Sequence, residues 1–198
     1  MAKDPTGSHP GRPRSEQSRS AVLRATSELI HEVGLRAMTT DQIASRSGVS
    51  KATIYKWWPN KYGVAVEAFL SEMATKSPDP DTGSAEEDFR RALRGLIRFY
   101  RSKSGRAYAQ LIGEAQYDPQ IRVELRDQLI GPRRELMRAI LDRGVERGEL
   151  RPDVDPEVAI DLIFGPAMYR LVGGHAPLDR RAADAIVDAA MRGLAGCD

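Results

Sequence analysis

From Ser18 to its C-terminus, this chain places apolar residues three or four positions apart, and no run alternates apolar with polar residues. A period near 3.6 buries one face of a helix and a period of two buries one face of a strand, so the fold class is all-α. Punctuation divides the pattern into about nine helices. Val22, Ala25, Thr26, Leu29, Ile30 and Val33 form the inner face of a first helix over 16–33, with Gly34 as its stop. Thr39 and Gln42 have capping-box spacing ahead of a short second helix that turns Ile43 and Ala44 inward. That helix ends at Gly48; Val49 packs, and Ser50 caps a third helix, which Pro59 ends.

Asn60 caps a fourth helix, whose Val64, Ala68, Phe69 and Met73 lead to the loop 77–81. Ser84 and Glu87 have the spacing of a second capping box, before a face of Phe89, Leu93, Leu96, Ile97 and Tyr100. A sixth helix carries Tyr108, Leu111, Ile112 and Ala115. Asp118-Pro119 opens a long segment that Gly131-Pro132 is predicted to kink or break, Asp155-Pro156 opens a helix bent at Pro166, and Asp179 caps the last. At 198 residues the chain can hold a small domain and a larger one. The expected division is a flexible basic arm over 1–15, a helix-turn-helix domain over 16–65 and a helical body over 66–198.

Charge separates the ends. Residues 1–65 hold ten Lys and Arg against five Asp and Glu, and the remainder holds twenty against twenty-three. A basic first third on a mildly acidic body suits a protein that meets a polyanion at one end. No stretch approaches the roughly 20 apolar residues that span a bilayer, the polar N-terminus lacks the core of a secretory signal, and the single Cys197 has no partner for an internal disulfide. Cytoplasmic residence is expected. Catalysis, a metal and a cofactor are not: His9, His31 and His175 are scattered without a nucleophile, His31-Glu32 lacks the i, i+4 pairing of a helical zinc site, and there is no phosphate loop.

A longer helix followed by two short ones around Ser47-Gly48-Val49 is the pattern of a tri-helical helix-turn-helix, whose last helix enters the major groove. Ile43, Ala44, Val49 and Ile54 supply its small core, which leaves Lys51, Thr53, Tyr55, Lys56 and Trp57 for other surfaces. The run Thr39-Thr40-Asp41-Gln42-Ile43-Ala44, followed by the run 47–61 from Ser47 to Lys61, resembles the DNA-binding domain of the TetR family, without gaps over residues 16–65. That resemblance implies a transcriptional regulator, by family habit a repressor released from double-stranded, palindromic operator DNA by a small-molecule effector. It implies that Ser50, Lys51, Ala52 and Thr53 approach bases or backbone, and that Thr40, Tyr55, Trp57 and Lys61 hold phosphates. Trp58 is expected in the core. Ala52, Asp41 and Gly63 depart from the family pattern, and a carboxylate at Asp41 repels phosphate unless it accepts from a cytosine. In the arm, Arg12 and Arg14 of Gly11-Arg12-Pro13-Arg14 resemble an AT-hook core that enters a minor groove.

The same resemblance implies a homodimer whose last two helices pair with those of a second copy, through Val158, Leu162, Met168, Leu171 and Val172 and through Ala183, Ile186, Val187, Ala190 and Leu194. Burial within one subunit competes with that reading. Phe99, Tyr100, Tyr108, Met137, Phe164 and Met168 are the candidate lining of an effector pocket, because aromatic and methionine side chains shape adaptable apolar cavities. The alternative function is a helical small-molecule or protein-binding module whose helix-turn-helix has lost DNA binding or needs a partner for it.

Overall fold

The computed structural model describes residues 12–76 and 79–195. Among them the backbone is helical apart from turns, caps and one isolated bridge between Leu150 and Ala195. The chain divides into two compact units between Ala65 and Val66, inside its fourth helix.

The first unit contains α1 (Arg12–Ala37), α2 (Thr40–Ser47), α3 (Lys51–Trp57) and the start of α4 (Lys61–Lys76). Helix α1 begins four residues before the expected start and takes in part of the expected arm. Pro13 fits there because the first N–H groups of a helix have no intrahelical partner. Val22, Ala25, Thr26, Leu29 and Ile30 are buried, as the periodicity requires, but Val33 is not. Gly34 interrupts the helix at φ 82° and ψ 164°, a conformation that only glycine adopts readily. The change of direction turns Leu35 and Met38 fully inward and leaves Val33 outside.

Local chemistry then sets the next two helices. Gln42 N–H donates to Thr39 Oγ1 at 3.2 Å while Thr39 N–H donates to Gln42 Oε1 at 2.9 Å, completing the expected capping box. Gly48 closes α2 in the left-handed region at φ 69°. Ser50 Oγ accepts from Thr53 N–H and caps α3, and Asn60 Oδ1 accepts from the N–H groups of Tyr62 and Gly63 at the start of α4. Ile43, Ile54 and Trp58 are buried, with Ala44 and Val49 half-buried at the edge of this core.

In the second unit α5 (Ala85–Tyr100) is the central helix. It packs against α6 (Lys103–Glu114), α8 (Gly131–Glu146), α9 (Pro156–Gly173) and α10 (Arg180–Leu194). Phe89, Leu93 and Phe99 are fully enclosed. Burying a side chain of that size contributes about 1.5–3 kcal/mol. Phe69, Phe99 and Tyr108 meet edge to face at centroid distances of 5.9–6.2 Å, and Phe89 meets Phe164 at 6.4 Å.

Three expectations need correction here. Ser84 makes no side-chain cap; instead Glu149 accepts from Ala85 N–H at 2.5 Å, and Glu87 bonds Arg91. Gly131-Pro132 does not break the long segment. Helix α7 (Pro119–Leu125) continues through a π-helical turn, Arg126–Ile130, into α8, and the wider turn admits a proline that an α-helix would exclude. Finally, Ala183, Ile186, Val187 and Leu194 of α10 are buried within the unit, so they are core residues and not interface residues.

A Cβ on Gly105 would run into the carbonyl oxygens of Phe99 and Tyr100, which are backbone atoms at the tight α5–α6 junction. Gly113, in the same helix, has open space around it. Gly105→Ala is therefore expected to lose about 1–3 kcal/mol of stability and Gly113→Ala to gain up to about 1 kcal/mol. Urea denaturation of the two variants checks the pair; equal stability would mean that the junction yields.

Candidate functional site

Helix α3 has two unlike sides. Ile54 and Trp58, four residues apart, are buried on one of them. Lys51, Ala52, Tyr55 and Lys56 are exposed on the other, with Thr53 and Trp57 half-buried at the margins. Trp57 meets Trp58 edge to face at 5.4 Å, so Trp58 anchors the helix and Trp57 extends its outer edge. Ser50 is exposed, Thr40 is half-buried at the first turn of α2, and the Ser50 and Thr53 hydroxyl oxygens share a 2.9 Å hydrogen bond. A base contact by either hydroxyl must therefore share it with the helix cap. The side chains of Arg12 and Arg14, and with them the minor-groove expectation, lie outside the described residues.

Three polar contacts that sequence reasoning missed hold this surface. Arg46 donates two 2.7 Å hydrogen bonds to the two carboxylate oxygens of Glu32, clasping α2 to α1. That hydrogen bonding, helped by charge attraction and opposed by burial, holds the Glu32 carboxyl below its ordinary value. Lys51 Nζ lies 2.8 Å from Asp41 Oδ1, so the carboxylate that threatened to repel phosphate is neutralised by a lysine of α3.

Lys61 departs most from expectation. Its Nζ donates to the carbonyl oxygens of Leu35, Arg36 and Met38 at 3.2, 2.8 and 2.9 Å. Three ammonium protons directed at three carbonyls leave none for a phosphate unless one of these bonds opens. The side chain expected on DNA instead ties the start of α4 to the end of α1.

The second unit holds a half-open cavity of about 200 Å³. Its lining follows three helical stripes: Leu96 and Tyr100; Leu129, Arg133 and Met137; and Ile160, Phe164 and Met168. Five of the six expected lining residues are present. Phe99 is the exception: next to Tyr100 it is rotated about 100° around α5, and it sits fully buried against Phe69 and Tyr108. Arg133 was missed although it lies one helical turn before Met137, a legible signal. Arg134 and Asp161 also line the cavity and pair at 2.7 Å. Tyr100 and Tyr108 stack at 6.0 Å, and burial raises the pKa of both phenols, well above the ordinary value for Tyr100.

On one side of α9, Val158, Leu162, Tyr169 and Val172 are all at least half exposed. Beside them a shallow groove runs between Leu162 and Pro166 of α9 and Ala185 and Ala189 of α10. Among the described residues, no helix is long and apolar enough to cross a membrane.

Comparison with known proteins agrees with this arrangement. Residues 22–68 match the family model for bacterial regulatory proteins of the tetR family, and residues 79–190 match the tetracyclin repressor-like C-terminal domain. The chain is 45% identical over 162 residues to the uncharacterized HTH-type transcriptional regulator YdeS of Bacillus subtilis, covering 82% of each. It is 28% identical over 176 residues to the DNA-binding transcriptional repressor TetR of Mycobacteroides abscessus, covering 88% of this chain and 92% of that one. Among solved structures, the TetR family transcription regulator SCO0332 superposes with a TM-score of 0.82 at 33% identity, over 92% of this chain and 100% of the other. FadR from Bacillus subtilis, in complex with stearoyl-CoA, shares the fold at 18% identity and a TM-score of 0.65, over 88% and 98%.

These matches and the helix-turn-helix define a DNA-binding transcriptional regulator, not an enzyme. The chain belongs to the TetR family.

Two outcomes test the framework of this site. Because the Glu32 carboxyl is held down in the folded state, its pairing with Arg46 stabilises above the unfolded value near 4.5 and is lost as pH falls through the lower folded value. The stability difference between wild type and Glu32→Gln should be present at neutral pH and close as the pH drops below 4.5, read from urea midpoints across pH. Lys61→Met removes three hydrogen bonds from a charged donor and should cost about 1–3 kcal/mol; an unchanged urea midpoint would show the tie to be idle.

Proposed function

We propose that this regulator is a homodimeric repressor that holds a palindromic operator through Thr40, Ser50, Lys51, Ala52, Thr53, Tyr55 and Trp57, and releases it when a small molecule enters the cavity of the second unit. The observation that carries the reading is the polar, exposed side of α3 opposite the buried Ile54 and Trp58. Lysine there meets phosphate or a guanine edge, threonine bonds a base or touches a thymine methyl, and tyrosine donates its hydroxyl to phosphate. Lys61 acts in this scheme as a positioning residue. The exposed apolar side of α9 supports the dimer: a second copy would cover Val158, Leu162 and Val172 and set two recognition helices about one DNA turn apart. Met73 of α4 lines the cavity, so a ligand pressing on it acts on a helix whose first residue is bonded to α1. A ligand bound more tightly to the DNA-free arrangement of α4 weakens operator binding by the coupling free energy between the two sites. The setting is the cytoplasm, where an operator is within reach.

Selection of bound fragments from genomic DNA, followed by salt titration on the enriched duplex, tests this reading. A palindrome should be enriched. Lys51→Ala and Tyr55→Phe should weaken binding, with Lys51→Ala reducing the salt slope by about 1. Asp41→Asn frees Lys51 and should tighten binding several-fold. If Asp41→Asn instead weakens binding, the carboxylate reads a base; if no sequence is enriched, operator recognition by this chain alone is wrong.

A further inference from the structure

Resting on the reading that the cavity of the second unit holds the effector, we infer that the effector is an uncharged apolar molecule with a carbonyl group, whose oxygen accepts from the hydroxyls of Tyr100 and Tyr108. Most of the lining is hydrocarbon or thioether. Leu96, Leu129, Met137, Ile160, Phe164 and Met168 offer it to the body of a ligand. The cavity is half-open, so its volume of about 200 Å³ bounds only the part of a ligand held inside and leaves the length of a chain reaching outward unrestricted.

The charged groups of the wall are Arg133, Arg134 and Asp161, and all three are already engaged. Arg134 pairs with Asp161 at 2.7 Å and bonds Glu157, and Arg133 has a partner of its own. A ligand with a net charge of either sign would give up its hydration without gaining an uncommitted counter-ion from the lining. A neutral molecule escapes that cost.

The phenols are the polar groups left to a ligand. Tyr100 and Tyr108 are both buried, both line the cavity, and their rings stack 6.0 Å apart and within 13° of parallel. The Tyr108 phenol and the Arg133 guanidinium both act on the Tyr100 phenol through charge, which places the two hydroxyls near one another. Burial raises the pKa of each, so each presents an O–H donor. Tyr100 O–H meets the Met168 sulfur at 4.0 Å, a weak acceptor, and among the described residues no group bonds the Tyr108 hydroxyl. A buried hydroxyl without a partner costs stability, and one beside a cavity takes its partner from what enters. A carbonyl oxygen has two lone pairs and can accept from both phenols, in preference to the sulfur. A hydrocarbon of the same shape fills the apolar space and leaves both donors unmet, a difference that buried polar groups turn into selectivity.

Ligand-observed NMR titration of the full chain without DNA tests this, using acetophenone and methyl nonyl ketone against the two alkenes in which a methylene replaces the carbonyl oxygen, with benzoate as the anion. At least one ketone should bind at least about fivefold more tightly than its alkene, and benzoate should bind less tightly than acetophenone. Tyr108→Phe should remove most of the ketone's preference and leave the alkene's affinity unchanged. Its thermal midpoint should not fall, because no bond within the described residues is lost. Equal binding of ketone and alkene by the wild type overturns the inference, as does the absence of binding by every probe. Tighter binding of benzoate overturns the uncharged class, and a lowered midpoint for Tyr108→Phe shows a hydroxyl that serves the fold and not a ligand. The ketone that binds is then added to the protein bound to its selected operator. Release supports the effector role; binding to the cavity without release overturns that role while the carbonyl site stands, and failure to bind DNA at all overturns the operator reading alone.

Discussion

The helix-turn-helix depends on one ammonium group. Gly34 kinks α1 with a positive φ, and the end of the helix leaves carbonyl oxygens of Leu35, Arg36 and Met38 needing donors. Lys61 supplies all three. Met38 immediately precedes Thr39, the cap of α2, and Lys61 is itself the first residue of α4. A single side chain therefore holds together the end of one helix, the entry to the second and the start of the fourth. Its partial exposure makes the tie weaker than a buried one, but the geometry is fixed by three acceptors and not by one.

Once that frame is set, polar groups around α3 divide into those that fix the helix and those left for a ligand. Ser50 and Thr53 serve the cap, and Arg46 serves the clasp to Glu32. Lys51 is held in reserve by Asp41: the exposed pair is weak in water, and a phosphate offers the lysine a competing anion of higher local charge density.

The helical class and most boundaries were legible because they are decided locally. Thr39 with Gln42, Gly48, Ser50, Asn60, Asp155 and Asp179 each act within four residues of their own position, and the structure uses all of them. Two of the failures share a cause: a distant partner decided the outcome. Ser84 lost its cap role while Glu149, 64 residues away from Ala85 in sequence, took the helix N-terminus. Lys61 reached back about 25 residues to its carbonyls. Val33 and the α10 face were misplaced for related reasons, since periodicity says which residues share a face but not what covers that face. The cavity was partly legible on the same principle: Tyr100, Met137, Phe164 and Met168 lie on stripes that the sequence displays, and Phe99 lies beside a stripe rather than on it.

The π-helical turn joins the fold to the cavity. Pro132 lacks an N–H and would collide with a carbonyl in an uninterrupted α-helix; the turn Arg126–Ile130 widens the ladder where the chain needs relief. Gly131 closes it by donating to Arg126 O, and a Cβ at that position would lie only 3.2 Å from the same oxygen, so the glycine suits the turn as well as the proline does. Leu129 and Ile130 of this turn line the cavity, and Arg133 follows directly after Pro132. The cavity wall thus contains the helical stretch with the least regular hydrogen bonding in the unit.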